Sequence, residues 1–471
     1  MKKWRKRMGL LVTGLIAIPL VVGIVYYVKP LPQGVSVDGN LHNDSDVRFV
    51  YDVTYDNNGR VMEQHLYDEM LRIIDEAEHS LVIDMFLYND DYDRSKGSYP
   101  TRADDITNAV LAAIKDNPAL NVTIITDAIN NMYGSATPEN FTKLADAGAE
   151  VIFTNMKALP DSNPLYSSIW RSYLQWWPVS QNGFLPNAFN PDGDKASVGS
   201  YLDLVNFKAN HRKVVLNEQQ ALITSANITH DGSSLHSNIG FVVTGDILQD
   251  IYKSEQAVAA LSDITLPEVA WNYTSEPADM QTKLVTEGKI EKTLLAMLDG
   301  ASENSEVKIG VFYLADRDVV KAVKATAKRG ANVDVILDPN KDAFGIEKNG
   351  IPNRQVAAEF VENGIDVRFY DTNGEQYHSK FVYVKTGDEA QLLGGSANFT
   401  RRNIADLNLE TNLYMEMPAT SELATTIESY FARIWDNENG QYTVDFEVYE
   451  DQAVWKKLWY RIQESTGLST F

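Results

Sequence analysis

Two short segments carry the residue types best suited to chemistry. One reads Asn210-His-Arg-Lys-Val-Val-Leu-Asn and is followed by Ile223-Thr-Ser-Ala-Asn227; the other reads Tyr377-His-Ser-Lys-Phe-Val-Tyr-Val and is followed by Gly394-Gly-Ser-Ala-Asn398. In an extended strand residues two apart share a face, so His211 sits beside Lys213 and His378 beside Lys380. The apolar runs Ala221 to Ile223 and Gln391 to Leu393 read as returning strands that bring Ser225 with Asn227, and Ser396 with Asn398, near that face. Each segment thus offers an imidazole for nucleophilic or acid–base work, together with an ammonium and an amide. One His-x-Lys is weak, because three residues recur by chance. Two copies, each followed by Ser-Ala-Asn, are a stronger signal.

The elements that must position these segments are themselves repeated. Ser80-Leu-Val-Ile-Asp-Met-Phe-Leu-Tyr88 matches Glu306-Val-Lys-Ile-Gly-Val-Phe-Tyr-Leu314, and Asn121-Val-Thr-Ile-Ile-Thr-Asp127 matches Asn332-Val-Asp-Val-Ile-Leu-Asp338. A third pair, Ala147-Gly-Ala-Glu-Val-Ile-Phe153 and Asn363-Gly-Ile-Asp-Val-Arg-Phe369, places a glycine after a helix-like stretch, where a helix stop calls for one. Helix patterns over Gln64 to Ala77, Asp104 to Lys115, Glu291 to Leu298 and Arg317 to Arg329 lie between the strands. The fold class is therefore α/β, as two similar halves, each an α/β layer with a largely buried sheet. The expected divisions are an N-terminal anchor at 1–29, a polar connector at 30–60, a first lobe at 61–270 and a second at 278–471. The boundary falls near Pro267 to Pro277.

The halves differ in one large respect. About fifty residues separate Asn155 from His211, whereas a handful separate Asp371 from His378, so the first lobe carries an insertion at about 156–205. It holds Tyr166, Trp170, Tyr173, Trp176, Trp177, Phe184 and Phe189. Two readings stand: a lip for acyl chains or a bilayer-interface element, and an elaborated loop packed on the other half.

Lys2, Lys3, Arg5, Lys6 and Arg7 precede an uncharged run from Gly9 to Val28. Twenty residues at about 1.5 Å each cover roughly one bilayer core, which predicts a single membrane span through residues 9–28. The positive flank places the N-terminus in the cytoplasm and the body outside the cell membrane, with Tyr26 and Tyr27 at the outer interface. Pro19 is tolerable in such a span. The competing reading is a cleaved signal peptide, against which stand the length of the run and the lack of a small-residue cleavage site. The net charge of −23 weighs against a nucleic-acid partner, and the absence of cysteine excludes disulfides, cysteine-held zinc and thiol nucleophiles.

The paired motifs resemble the phospholipase D superfamily, whose signature is His-x-Lys, four residues, Asp, then a Gly-Ser-x-Asn segment. The resemblance covers nearly the whole chain after the apolar run, and extends to the cardiolipin synthase-like and phospholipase D-like members. It implies two α/β/α lobes packed around one shared active site. It also implies that His211, Lys213, Asn227, His378, Lys380 and Asn398 cleave or transfer a phosphodiester through a phosphohistidine, with Ser225 and Ser396 binding substrate. No cofactor is expected, and no metal, since lysines take the place of a divalent ion. Asn408-Leu-Glu410 matches the family's Asn-x-Glu, while the first copy is followed by Asn238-Ile-Gly240. On that matching Glu410 orients His378 as general acid and leaves His211 as nucleophile. The first copy departs from the pattern at Glu218 and Thr224; in the second, Lys385 stands at the acid's position and Asp388 comes too late. An acid with a structural role makes these changes tolerable, and an inactive first half is the alternative.

His42, His65, His79, His230 and His236 lack metal-like clustering and read as surface or packing residues. Arg401-Arg402 reads either as a headgroup-phosphate contact or as a solvated turn. The expected partners are a phospholipid and a water or alcohol acceptor. An exported nuclease or other phosphodiesterase is the alternative enzyme, and a binding module without catalysis is the third reading.

Overall fold

The computed structural model describes residues 2–343 and 346–469. Its first sheet is built from β1 (Val47–Tyr51), β2 (Ser80–Met85), β3 (Asn121–Thr126), β4 (Glu150–Phe153), β5 (Lys213–Asn217), β6 (Ala221–Thr224) and β7 (Ile239–Val243). The second uses β8 (Gln281–Thr286), β9 (Ser305–Val311), β10 (Asn332–Leu337), β11 (Asp366–Tyr370), β12 (Lys380–Thr386), β13 (Glu389–Gly395), β14 (Thr411–Pro418) and β15 (Thr443–Asp445). The strand orders are β1-β7-β6-β5-β2-β3-β4 and β8-β14-β13-β12-β9-β10-β11-β15. Strand for strand the second order repeats the first, with β15 added at one edge. In both sheets the matched apolar runs pair in parallel, β2 with β3 and β9 with β10, while the motif strands β5 and β12 run antiparallel to β2 and β9.

The expected helices form as α2 (Leu66–Asp75), α3 (Arg102–Asp116), α8 (Gly288–Gly300) and α9 (Arg317–Lys328). Alternation along the strands divides the core into layers. Leu81 and Ile83 pack with Ile73 of α2 and Ile106 of α3, and in the other lobe Val307 and Ile309 pack with Leu294 of α8 and Val323 of α9. On the opposite faces, Val82, Val214 and Phe241 share one continuous cluster with Phe381 and Tyr383 of the second lobe. That cluster also takes in Ile251 of α7 (Ile247–Ala260) and Tyr430 of α12 (Glu422–Trp435), so both helices lie between the sheets. Burying apolar side chains at about 25 cal/mol per Å2 makes this shared layer the main bond between the lobes. Close approach requires a glycine here, since a Cβ at Gly394 would stand 2.7 Å from the Phe241 ring.

The connector departs from its expected form. Gly39 donates to Leu284 O, and His42 exchanges hydrogen bonds with Thr282, along the free edge of β8. The chain then enters the first sheet as β1 and forms a ribbon of Val53–Asp56 with Arg60–Glu63. Charge and polarity along 30–60 hid an extended segment that covers an edge of both sheets, which such edges need.

One helix, α1 (Lys2–Tyr27), contains a stretch long and apolar enough to cross a membrane, with mean hydropathy 2.5. Its C-terminal part packs on the insertion. Asp161 N donates to Tyr26 O, the Arg171 guanidinium lies 3.6 Å from the Tyr26 ring centroid, and Tyr173 OH donates to Leu15 O. Within the insertion Trp170 is buried and donates to Asp203, whereas Trp176, Trp177 and Phe184 are exposed.

Candidate active site

The two motifs meet where the lobes touch, related by an approximate twofold arrangement that runs down to single hydrogen bonds. Asp127, at the end of β3, accepts from Asn210 N at 2.7 Å; Asp338, at the end of β10, accepts from Tyr377 N at 2.8 Å. Each carboxylate so fixes the backbone one residue before its histidine. Phe86 N donates to Arg212 O and Phe312 N to Ser379 O, which brings the Phe86 ring 4.7 Å from His211 and the Phe312 ring 5.1 Å from His378. The same rings lie under Lys213 Nζ at 5.0 Å and Lys380 Nζ at 5.4 Å. Cation–π attraction partly offsets the cost of burying both ammonium groups. Phe86 and Phe312 were quoted above only as strand residues. Their place at the same step of the matched runs, one residue past the ends of β2 and β9, was the signal for a site role.

Each histidine is then held by a loop from the other lobe. Leu409 O accepts from His211 N, and Ser237 O from His378 N, at 2.9 and 2.8 Å. The next residue of each loop turns its side chain onto the ring: Glu410 Oε1 lies 2.8 Å from His211 Nδ1, and Asn238 Oδ1 lies 3.0 Å from His378 Nδ1. Glu410 therefore serves His211, not His378 as the motif order suggested. The cause is the crossing itself, since a residue at the head of β14 lies against the opposite lobe's motif. The matching of the two loops also shifts by two residues. Ile239 O accepts from Ser225 N just as Thr411 O accepts from Ser396 N, so the counterpart of Asn408-Leu-Glu410 is His236-Ser-Asn238.

Ser225 and Ser396 do not face the reacting groups. Both are fully buried; Ser225 Oγ donates to Asn238 and accepts from Ile239 N, while Ser396 Oγ donates to Glu410 and accepts from Thr411 N. They position the groups that hold the histidines. Asn227 and Asn398 behave otherwise: the side-chain oxygen of each is buried without a hydrogen-bond partner, an expense that a bound ligand would relieve. His236, expected to be peripheral, lies with its ring 5.5 Å from that of His378 and accepts from Gln376 N through Nδ1. His230 accepts from Asp104 N and His42 pairs with Asp250, both packing roles.

Electrostatics in the site are set by burial. Desolvation pushes His211 down to about 4 despite Glu410, and His378, with Lys380 and His236 for neighbours, well below the usual imidazole range. Lys213 falls to about 7 by desolvation, and Lys380 well below its ordinary value by desolvation and then by Lys213. Four basic groups gathered with little solvent make a site that an anion would stabilise. Beneath it, the fully buried Arg212 donates to Glu287 Oε1 at 2.8 Å and to Glu255 Oε1 at 3.2 Å. Glu287 Oε1 also accepts from Glu410 N, so this ion pair ties the lobes at the carboxylate that serves His211. Glu218 accepts from the backbone of Glu78, His79 and Ser80, a structural role at the head of β2, and Lys385 pairs with Glu428. Arg402 is buried and donates to Ser162 Oγ and Gly467 O, and Arg401 to Tyr27 OH. That pair ties segments of the chain together.

Comparison with known proteins follows the same outline. Residues 294–435, the heart of the second lobe, match the family model for the cardiolipin synthase, PLD-like domain. No curated protein matches the chain in sequence. Among solved structures, phosphatidylserine synthase from Haemophilus influenzae Rd KW20 is 11% identical, over 90% of this chain and 94% of that one, with a TM-score of 0.56. Polyphosphate kinase from Porphyromonas gingivalis is 12% identical over 90% of this chain and 54% of its own, with a TM-score of 0.46. Nuc, a phospholipase D family member from Salmonella typhimurium, is 18% identical over 34% of this chain and 97% of its own, with a TM-score of 0.26. At such identity the likeness to the synthase is one of fold. The second lobe thus carries a match to the cardiolipin synthase, PLD-like domain family, and the chain as a whole, two lobes of one strand order closing on a paired His-Lys-Asn site, is similar to such proteins in fold.

Proposed function

We propose that the protein is a membrane-anchored enzyme that cleaves or transfers the phosphodiester of a phospholipid, as a phospholipase D or a cardiolipin synthase-like phosphatidyltransferase. The observation that carries this reading is the convergence of His211, Lys213 and Asn227 with His378, Lys380 and Asn398, each imidazole held through Nδ1. With Nδ1 bound, Nε2 is the nitrogen left for chemistry. The ammonium groups of Lys213 and Lys380, which donate to His211 O and His378 O and have further protons to give, take the non-bridging phosphoryl oxygens together with the N–H groups of the two asparagine amides, while the unpaired amide oxygens are free to accept from the departing or incoming hydroxyl.

His211 Nε2 attacks phosphorus, the bond to the departing alcohol breaks, and His378 gives that oxygen its proton. His378 then takes a proton from water or an acceptor alcohol, whose oxygen attacks phosphorus as the bond to His211 breaks. The attacking ring becomes cationic for the lifetime of the covalent intermediate, and Glu410 offsets that charge. His378 faces a neutral amide and nearby basic groups that leave it unprotonated in the free site, so the proton it gives is taken up with the phosphodiester, whose negative charge offsets those groups. A second reading reverses the roles, because Glu410 also favours protonation of His211 before substrate binds. Lipid as the substrate class is supported by the apolar α1, the exposed Trp176 and Trp177 of the insertion on which α1 packs, and the acidic body. A nuclease would be expected to present a basic face.

The test incubates the full chain in detergent with phosphatidylglycerol, phosphatidylcholine or single-stranded DNA, beside His211→Ala and His378→Ala. Turnover of lipid that each substitution lowers by about 10^3-fold or more is expected. Turnover of DNA alone, or turnover that survives both substitutions, would overturn the reading. Phosphatidic acid as product marks hydrolysis and diphosphatidylglycerol marks transfer.

A further inference from the structure

The last helix, α13 (Val454–Thr466), is docked by one face and apolar on the other. Tyr460 and Glu464 are buried, Tyr460 OH donating to Glu359 and Glu464 accepting from Arg401 N. Opposite them Val454, Trp455, Leu458, Trp459 and Ile462 are exposed, from 79% at Val454 to 37% at Ile462. At 3.6 residues per turn these five fall within an arc of about 140°, so they form one continuous stripe and not scattered exposure.

Two independent observations say what covers the stripe. The first is position: Arg401, whose backbone is held by Glu464, donates to Tyr27 OH at the end of α1, and Arg402 grips Gly467 O just past α13. The C-terminal end of α13 is thus fastened beside the point where the apolar N-terminal helix enters the body. The second is charge: Arg317, Lys324, Lys457 and Arg461 surround the single carboxylate of Glu359. In a chain of net charge −23, the cluster around Glu359 sets four cations against one carboxylate, with Lys457 and Arg461 of α13 among them. A helix with tryptophan on its apolar face and basic residues along its border is the pattern that lies in a membrane interface.

We infer that α13 is an interfacial helix whose Val454–Ile462 stripe lies in the anionic-lipid surface of the same membrane that holds α1, giving the body a second attachment. The inference rests on the proposed anchoring by α1. Two attachments would fix the orientation of the body on the membrane, and Asn403, beside the arginines that hold both helices, donates to Glu410 in the site.

The chain has no cysteine, so single labels are clean. Leu458→Cys, Leu15→Cys and Asp388→Cys, the last in the turn between β12 and β13, each take a nitroxide in the full chain. The proteins are reconstituted in phosphatidylcholine–phosphatidylglycerol vesicles. Collision with oxygen should exceed collision with a water-soluble nickel chelate at Leu15 and Leu458, and the reverse should hold at Asp388. A Leu458 label as open to nickel as Asp388, with Leu15 in lipid, overturns the inference and leaves the anchor standing; both labels in water overturn both. Dipolar broadening between Leu458 labels on two chains would assign the stripe to a second copy and also overturn it. In a parallel measurement Trp455→Glu with Trp459→Glu should lower turnover of vesicle lipid about tenfold while leaving turnover of a short-chain, monomeric lipid unchanged. Equal rates on vesicles would count against the inference.

Discussion

Asn408-Leu-Glu410 and His236-Ser-Asn238 occupy the same place in the two lobes and make the same backbone contacts, yet they deliver different groups. Asn408 Oδ1 accepts from Ala209 N where His236 Nδ1 accepts from Gln376 N. One residue from the end, Leu409 and Ser237 hold the backbone of the two histidines alike. Only the last side chains diverge in charge, a carboxylate for His211 and an amide for His378. The layers below diverge as well. Behind His211 lie Asp84, Arg212, Glu255 and Glu287, all fully buried; the counterpart of Asp84 is Gly310, and behind His378 Ser379 meets Tyr430. The two halves keep one geometry but differ in electrostatics, an inequality that the proposed division into nucleophile and acid would use.

The lysines should give the largest effects short of the histidines. Lys213→Met and Lys380→Met are expected to lower kcat/KM by about 10^2–10^3-fold, since each removes a cation aimed at developing charge. Stability should move the other way. The folded-state value of Lys213, about 7, lies below its ordinary 10.5, so below pH 7 the folded protein carries a desolvated charge in full. As pH rises from 7 toward 10.5 the unfolded chain holds the proton that the folded one has lost, and wild-type stability climbs. Lys213→Met should therefore raise stability by a few kcal/mol, on the order set by the shift, at pH 6, with the gain fading by pH 10 in denaturant titrations. A loss at pH 6 would contradict the burial argument.

Changing the loop ends tests the inequality itself. Glu410→Gln should slow formation of the covalent intermediate by about 10–100-fold in single-turnover experiments, as expected for an oriented partner of a catalytic group. Asn238→Asp should raise the His378 value and carry the alkaline limb of the kcat/KM profile to higher pH. No movement of that limb would mean that His378 is not the acid. The smallest effects belong to the serines. Ser225→Ala and Ser396→Ala should each cost about 1–2 kcal/mol of stability, read by chemical denaturation, for the buried partners they leave unpaired. Ser396→Ala should also reduce turnover more than Ser225→Ala, because its hydroxyl steadies a carboxylate.

Much of this was legible in the chain. Apolar strand runs and repeated motif order gave the two lobes, because a strand buried on both faces leaves an unbroken hydrophobic run. His211, Lys213, His378 and Lys380 followed from a period of two. What the chain concealed depends on crossing between lobes. No spacing rule says that Glu410 reaches the other motif's histidine, and a family motif read along one half assigns it to the wrong ring. Ser225 and Ser396 sit in the signature and were read as contacts, although their hydroxyls are spent on backbone and on the two acceptors. His236 was unremarkable as a residue near a serine-rich turn; only superposing the second loop on the first makes it the counterpart of Asn408.

The central claim is that one histidine, marked by its carboxylate, carries the phosphoryl group. It is tested most directly by trapping the intermediate with phosphatidylglycerol, quenching in alkali because phosphohistidine is acid-labile, and locating the modification by peptide mass spectrometry. Phosphatidyl or phosphoryl mass is expected on the peptide holding His211, absent from His211→Ala; the same mass on the His378 peptide would contradict the assignment.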